Sequence, residues 1–254
     1  MLKNRVIPAL LLQGSGLVKT RKFSDPVYVG DPINAIRIFN EKEVDELMVL
    51  DIRASREGRD PNFSLIEKFA GECFMPLTYG GGIRTVDQAG RLFSLGVEKI
   101  SVQTSALDDL SFVREVSDKF GSQSIVVSVD VERGFFGSPR LRKCGSGKLV
   151  NIPWLEFAQR AVAAGAGEIL LNAVHKDGTL SGPDLPLISQ ASRSLPVPLI
   201  AVGGVSNLED IKKCVEAGAS AVAAGAFFVF HGPYRTVLIT YPEYRELEIL
   251  LRGN

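Results

Sequence analysis

The chain has 254 residues, 45% of them hydrophobic, with 29 basic side chains balanced by 29 acidic ones. That length buries a large core, in one large domain or two small ones, and the zero net charge gives no support for a nucleic-acid partner. No apolar run reaches the roughly 18 residues that span a bilayer, so no membrane partner is expected.

The first residues, Met1 to Asn4, lead at once into an apolar run, without a signal-peptide hydrophobic region or cleavage site. Cys73, Cys144 and Cys214 form no C-x-x-C pair, so reduced and mostly buried thiols in a cytoplasmic protein are expected. Two histidines, His175 and His231, stand in no ligand-spaced cluster, so no metal and no cofactor are expected.

Strands are predicted at 5–12, 46–52, 75–79, 98–103, 124–130, 168–173, 197–202 and 220–225. Between them lie amphipathic stretches such as DPINAIRIFNEKE, SLIEKFAGEC, TVDQAGRLFSLG, WLEFAQRAVAAG and NLEDIKKCVEAG. Eight strand–helix alternations over about 250 residues have the size and rhythm of a (β/α)8 barrel filling residues 1–254. An open doubly wound sheet is the alternative. It more often carries G-x-G-x-x-G after its first strand, where this chain has only GSG at 14–16.

The chain repeats itself. MPLTYGGGIRTVDQA (75–89) is similar to VPLIAVGGVSNLEDI (197–211), an offset of 122 residues. VDELMVLDI (44–52) matches AGEILLNAV (166–174), and SLGVEKISVQTSA (94–106) matches EAGASAVAAGAFF (216–228), both at that offset. Two half-barrels of four β/α units are therefore predicted, with paired sites where the loops after the strands gather.

Two such sites are suggested by the glycine turns YGGGI (79–83) and VGGV (202–205). Glycine lets backbone N–H groups approach an anion, and the following helix start favours negative charge. The next strand of each half ends in small residues, QTSA (103–106) and AGA (224–226), leaving room for the same anion. An elongated ligand with a phosphate at each end is expected.

These strings, with the start MLKNRVIPALLL, FGSQSIVVSVD, GAGEILLNAVHKDGTLSG and GDP at 30–32, resemble the cyclase subunit of imidazole glycerol phosphate synthase along essentially the whole chain. The resemblance implies a barrel that accepts ammonia from a glutaminase docked on its N-terminal face. It also implies two catalytic aspartates at the other face, ending strands 1 and 5. The strand 5 aspartate matches Asp130, and the strand 1 aspartate falls on Leu11. Implied ligand-binding positions are Lys19, Asp51, Gly81, Gly82, Gln103 (where asparagine is expected), Thr104, Asp177, Gly178, Gly203, Gly204, Gly225 and Ala226 (where serine is usual). An ammonia-channel gate at the barrel base is implied at Arg5, Glu46, Lys99 and Glu168.

Ring closure needs one group giving a proton and one taking it, and leucine does neither. VKT (18–20), VGDPINA (29–35), IFNEKEVDEL (38–47) and ECFMPL (72–77) are similar to a paralogous group linked to acetamidino modification of surface-polysaccharide sugars. That likeness implies delivery of ammonia to a sugar amidotransferase. Three readings stay open: ammonia delivery, genuine cyclisation, and a non-catalytic scaffold.

Among the remaining features, His175 follows strand 6 at the rim, and Trp154 reads as packing. RASREGR (53–59) places basic side chains on the active face. RGFFGSPRLRKCGSGK (133–148) reads as a loop or short hairpin, and YREL as part of a last helix.

Overall fold

The computed structural model describes residues 4–134, 137–232 and 234–252. The barrel strands are β1 (Arg5–Gln13), β2 (Leu47–Asp51), β3 (Leu77–Gly80), β4 (Lys99–Val102), β5 (Ile125–Arg133), β6 (Glu168–Ala173), β7 (Leu199–Val202) and β8 (Ala221–Ala224). Each pairs in parallel with the next, and β8 pairs with β1 from Arg5↔Ala221 to Pro8↔Ala224, which closes the barrel. An open sheet is thereby ruled out.

The strands are followed by α1 (Pro32–Glu41), α2 (Phe63–Ala70), α3 (Val86–Ser94), α4 (Ser111–Phe120), α5 (Trp154–Ala163), α6 (Leu185–Ser194), α7 (Leu208–Glu216) and α8 (Tyr244–Leu251). Local chemistry sets their starts. Thr85 and Gln88 form a capping box on α3, and Asn207 caps α7 by accepting from Asp210 N. Trp154 opens α5 and is buried, as packing requires, and YREL lies at the start of α8.

Because alternate strand residues face opposite sides, two cores result. Val6, Leu10 and Leu12 of β1 belong to the large core between strands and helices, while Ile7 and Ala9 join Met48, Val126, Leu170, Ile200, Ala221 and Ala223 inside the barrel. The same parity aims Arg5 and Leu11 inward at opposite ends of β1.

The repeat is visible in three dimensions. α3 and α7 span 86–94 and 208–216, and β3 and β7 span 77–80 and 199–202, each pair 122 residues apart. Gly81 and Gly82 have φ of +120° and +75°, and Gly203 and Gly204 have +108° and +92°.

Two findings differ from expectation, and one open reading is decided. An antiparallel hairpin, Gly16–Arg21 with Ser24–Gly30, extends β1 where the sequence suggests only a turn. Its apolar residues, Leu17–Val18 and Val27–Val29, stand in short groups separated by charged residues and Pro26, which hides the strand signal, and Leu11–Gln13 of β1 pair with Gly16–Val18. Of the loop or short hairpin expected at 133–148, the structure has the hairpin, with Pro139–Leu141 pairing β5; Phe135 and Phe136 lie outside the described residues. The thiols are not mostly buried: Cys214 is buried, Cys73 is intermediate, and Cys144 is exposed on the loop after Leu141.

Glycine at 204 answers to two constraints, its left-handed φ and a backbone neighbour, since a Cβ there would lie 2.2 Å from Gly182 O. Gly96 has φ +98° but open space around it. Gly96→Ala is expected to cost about 1–2 kcal/mol from backbone strain alone. Gly204→Ala adds steric overlap, for a total of about 2–5 kcal/mol. Urea unfolding of both variants measures the difference, and equal losses would show that the close approach is relieved without cost.

Candidate active site and basal charge ring

Every residue named above for the upper site lines one cavity of about 550 Å³ at the C-terminal ends of the strands. Lys19 comes from the hairpin after β1. Its Nζ donates to Asp177 Oδ1 at 2.8 Å, and Thr20 Oγ1 donates to Asp177 Oδ2 at 3.0 Å, all three residues being buried. Asp51 ends β2 and caps the turn that follows, its Oδ1 accepting from Arg53 N and Ala54 N at 2.9 Å each. Arg59 stands 3.6 Å from its other oxygen.

Asp130 faces the same cavity from β5 and is 3% exposed. Burial pushes its carboxyl up to about 7, against the hydroxyl of Ser128 (3.2 Å away) and the positive charge of Arg142, which act in the opposite sense. A carboxyl titrating near neutrality is suited to exchanging a proton. Unlike Asp51 and Asp177, it accepts no backbone amide and pairs with no cation among the described contacts.

The strand register identifies what stands opposite. Leu11 pairs with Leu50, and Asp130 pairs with Asn172; Leu50 and Asn172 are themselves 122 residues apart. Leu11 is therefore the pseudo-twofold counterpart of Asp130, and the cavity offers a hydrocarbon where its other half offers a carboxyl.

Gln103 ends β4 and clamps the loop after Leu141. Its Nε2 donates to Arg142 O at 2.9 Å, and its Oε1 accepts from Cys144 N at 2.6 Å. Through this clamp Gly145 lies near Thr104 and Arg56, a Cβ built on it falling 3.5 Å from Thr104 Oγ1 and 3.7 Å from Arg56 N. The hairpin after β1 does the same across the mouth, with Lys22 N donating to Asp177 O at 2.9 Å and Thr20 O close against Gly178. Each half-barrel thus lends a hairpin to the other half's rim. Sequence reasoning missed Ser128, Arg142 and the Gln103 clamp, because these contacts join elements that no local motif links.

His175 does not line the cavity. Its Nε2 sits 3.1 Å from Asp184 Oδ2, which Arg133 also holds at 2.5 Å. Burial, with the charges of Arg133 and Lys176, keeps its pKa below the usual value despite Asp184. Among the described residues no three His, Cys, Asp or Glu side chains group as metal ligands. No helix among them is long and apolar enough to cross a membrane.

At the other end of the barrel Arg5, Glu46, Lys99 and Glu168 form a ring. Arg5 reaches Glu46 at 2.5 Å and Glu168 at 2.8 Å, and Lys99 reaches Glu46 at 3.0 Å and Glu168 at 2.9 Å. Each cation bridges both carboxylates, and Thr78 Oγ1 donates a further bond to Glu46 at 2.8 Å. Burial pushes the Glu168 carboxyl up, but its bonds to Arg5 and Lys99 outweigh this and hold it below the usual range. Such mutual satisfaction is what partly buried charges require.

Asp130 makes stability depend on pH. Between about pH 4 and 7 the folded protein holds a proton on Asp130 that the unfolded chain releases, so stability falls as pH rises through that window and is flat above it. Asp130→Asn lacks this loss. Its stability advantage is expected to grow from near zero at pH 4 to a plateau above pH 7, on the order of 4 kcal/mol for about three pKa units. Urea unfolding of both proteins from pH 5 to 8 checks this, and a pH-independent difference would contradict it.

Comparison with known proteins agrees with this geometry. A family model described as histidine biosynthesis protein matches residues 5–234. A protein of Pseudomonas aeruginosa, provisionally named imidazole glycerol phosphate synthase subunit hisF2, is 53% identical over 98% of this chain and 100% of its own. One of Vibrio vulnificus, provisionally named subunit hisF3, is 47% identical over 95% and 94%. One of Leptospira interrogans, provisionally named subunit HisF, is 44% identical over 98% and 99%. Closed barrel, paired glycine turns and near-full-length identity together place the chain in the histidine biosynthesis protein family, among its HisF-type imidazole glycerol phosphate synthase cyclase subunits.

Proposed function

We propose that this chain is the barrel subunit of a glutamine-dependent system, taking ammonia from a glutaminase on its N-terminal face and releasing it for amidation of an N-acetyl sugar in polysaccharide biosynthesis. The observation that carries this reading is Leu11 opposite Asp130, with the basal ring intact. A cyclase without its second proton-exchanging group loses typically ~10²–10⁴-fold in rate. The ring alone would also serve as a structural ion-pair plug, but its retention beside the loss at Leu11 favours a barrel that still passes ammonia.

Further support comes from the barrel's centre. Above the ring, Ile7, Met48, Val126, Leu170, Ile200, Ala221 and Ala223 make an apolar interior leading to the cavity. Apolar walls disfavour ammonium, which carries its charge, far more than neutral ammonia. Phe74, in the loop leading to β3 at the base, is 86% exposed, and a docked glutaminase would cover it. The names hisF2 and hisF3 borne by relatives fit additional copies beside a histidine-pathway subunit.

The competing reading is a genuine cyclase with Asp130 as its acid–base group, favoured by that carboxyl's near-neutral pKa. Turnover of the doubly phosphorylated histidine-pathway substrate with ammonia separates the two. The expected rate is negligible, and efficient turnover near ~1 s⁻¹, ordinary for enzymes, would establish the cyclase reading instead.

The ring has its own test. With the glutaminase and a sugar amidotransferase reconstituted, Lys99→Met is expected to lower glutamine-dependent amidation at least several-fold. Amidation driven by added ammonium should stay unchanged, since that ammonia need not cross the barrel. Equal rates with glutamine for both proteins would reduce the barrel to a scaffold.

A further inference from the structure

Exposed apolar side chains are spread unevenly over this molecule. Val27 and Tyr28 are exposed on the hairpin after β1. Tyr234, Val237 and Leu238 are exposed in the segment after β8, which holds a second hairpin, Phe230–His231 with Thr236–Val237. Tyr28 is 67% exposed and Tyr234 is 93% exposed. Single exposed apolar residues are ordinary on a monomer, whereas a group that includes two tyrosines marks a contact surface.

The two hairpins make one patch. β1 and β8 are neighbours in the barrel, so both hairpins rise from the same side of the mouth. Both are also tied to the turn after β6. Lys22 N donates to Asp177 O at 2.9 Å, and Arg235 Nη2 donates to Gly178 O at 3.2 Å. Backbone strain gathers here as well. Lys22, Phe23, Asp25, Leu180 and Arg235 have positive φ, and among the described non-glycine residues only Glu43 shares that feature elsewhere. Strain of this kind clusters at functional surfaces.

Charge on the patch is one-sided. Arg21, Lys22, Lys176 and Arg235 form no ion pair among the described residues, while Lys19 is neutralised by Asp177, and Arg133 by Asp184. Against the four stand exposed Asp25 and Asp31, and Asp31 caps α1. None of these four cations lines the cavity, and neither do Val27, Tyr28, Tyr234, Val237 and Leu238. A small molecule bound in the cavity therefore does not account for them.

The chemistry of ammonia supplies the occupant. Ammonia that reaches water near neutral pH takes up a proton and ceases to be a nucleophile, so its consumer has to cover the mouth. Resting on the reading of this barrel as an ammonia supplier, we infer that the hairpins at 16–30 and 230–237 are the docking surface for the enzyme that consumes the ammonia. That partner meets the four cations with an acidic surface and receives Tyr28 and Tyr234 in apolar hollows. The charges steer its approach, and the tyrosines anchor it.

Sedimentation velocity of the barrel–glutaminase complex with the sugar amidotransferase, and glutamine-driven amidation by the same mixture, test this. Tyr28→Ser with Tyr234→Ser, and separately Arg21→Glu with Lys176→Glu, should each weaken the association about tenfold or more. Glutamine-driven amidation at limiting amidotransferase should fall by a similar factor. Glutamine hydrolysis and amidation driven by added ammonium should stay unchanged in both. Ile249→Ser, which removes a comparably exposed apolar side chain from α8, should leave the association and amidation as they are. Added salt should weaken the association of the unmodified proteins. Association and glutamine-driven amidation indifferent to both double variants, or lowered as much by Ile249→Ser, would overturn the docking surface and leave ammonia delivery standing. Self-association of the barrel alone, lost with the two tyrosines, would assign the patch to a second copy and overturn the inference as well. Absence of glutamine-driven amidation by the three unmodified proteins together would overturn the delivery reading and this inference with it.

Discussion

Pairing of Arg5–Pro8 with Ala221–Ala224 is the constraint on which the rest of this molecule depends. It turns a row of parallel strands into a ring, so residues far apart in the chain meet across one axis. Once the ring is closed, every second residue of each strand must point inward. Side chains at the strand starts then crowd together at the base, and those at the strand ends surround the mouth. Arg5 and Glu168 are 163 positions apart, yet they bond at 2.8 Å because closure brings the starts of β1 and β6 together. Leu11 faces the cavity for the same reason that Arg5 faces the ring.

The barrel treats charge differently at its two ends. At the base, two cations and two carboxylates answer one another, and the bonds to Arg5 and Lys99 hold the Glu168 proton affinity down. At the mouth, Asp130 lacks such a partner and burial raises its proton affinity instead. The first arrangement stabilises charge, and the second stores an unfavourable carboxylate. Strain of that kind is common where a group is kept for chemistry rather than for folding. Between the ends lies an apolar middle that neither attracts nor holds ions.

Pseudo-twofold repetition accounts for the paired glycine turns and the matched helices, and departures from it carry the individuality of the protein. The symmetry is obeyed wherever backbone packing enforces it, as at Gly82 and Gly204, where a Cβ would run into Arg59 O at 2.6 Å or Gly182 O at 2.2 Å. It lapses at side chains facing the open cavity, where no neighbour compels identity. Leu11 against Asp130, Thr104 against Ala226, and Ser55 against Asp177 are such lapses. The hairpins, lent by each half to the other, cross the mouth and would make the halves hard to alter separately.

Much of this was legible in the chain itself. Short continuous apolar runs, amphipathic stretches between them and the 122-residue offset pointed to eight strand–helix units in two halves, because helix amphipathicity and core burial are written locally, while closure rather than an open sheet was decided by the pairing of β8 with β1. The glycine turns and the positions of Asp130, Lys19 and the four ring residues followed from strand ends and from likeness to a family. Tertiary structure alone decided the rest. The hairpin at 16–30 pairs with the edge that β1 leaves at Leu11–Gln13, a partner that its own residues do not reveal. Cys144, in the glycine-rich loop after Leu141, is exposed, while Cys214, on the amphipathic helix α7, is buried. The Gln103 clamp and the partnering of Lys19 by Asp177 depend on which side chains closure brings within hydrogen-bond reach. Distances of about 3 Å across a barrel are set by packing of the whole ring, and no local stretch of sequence contains them.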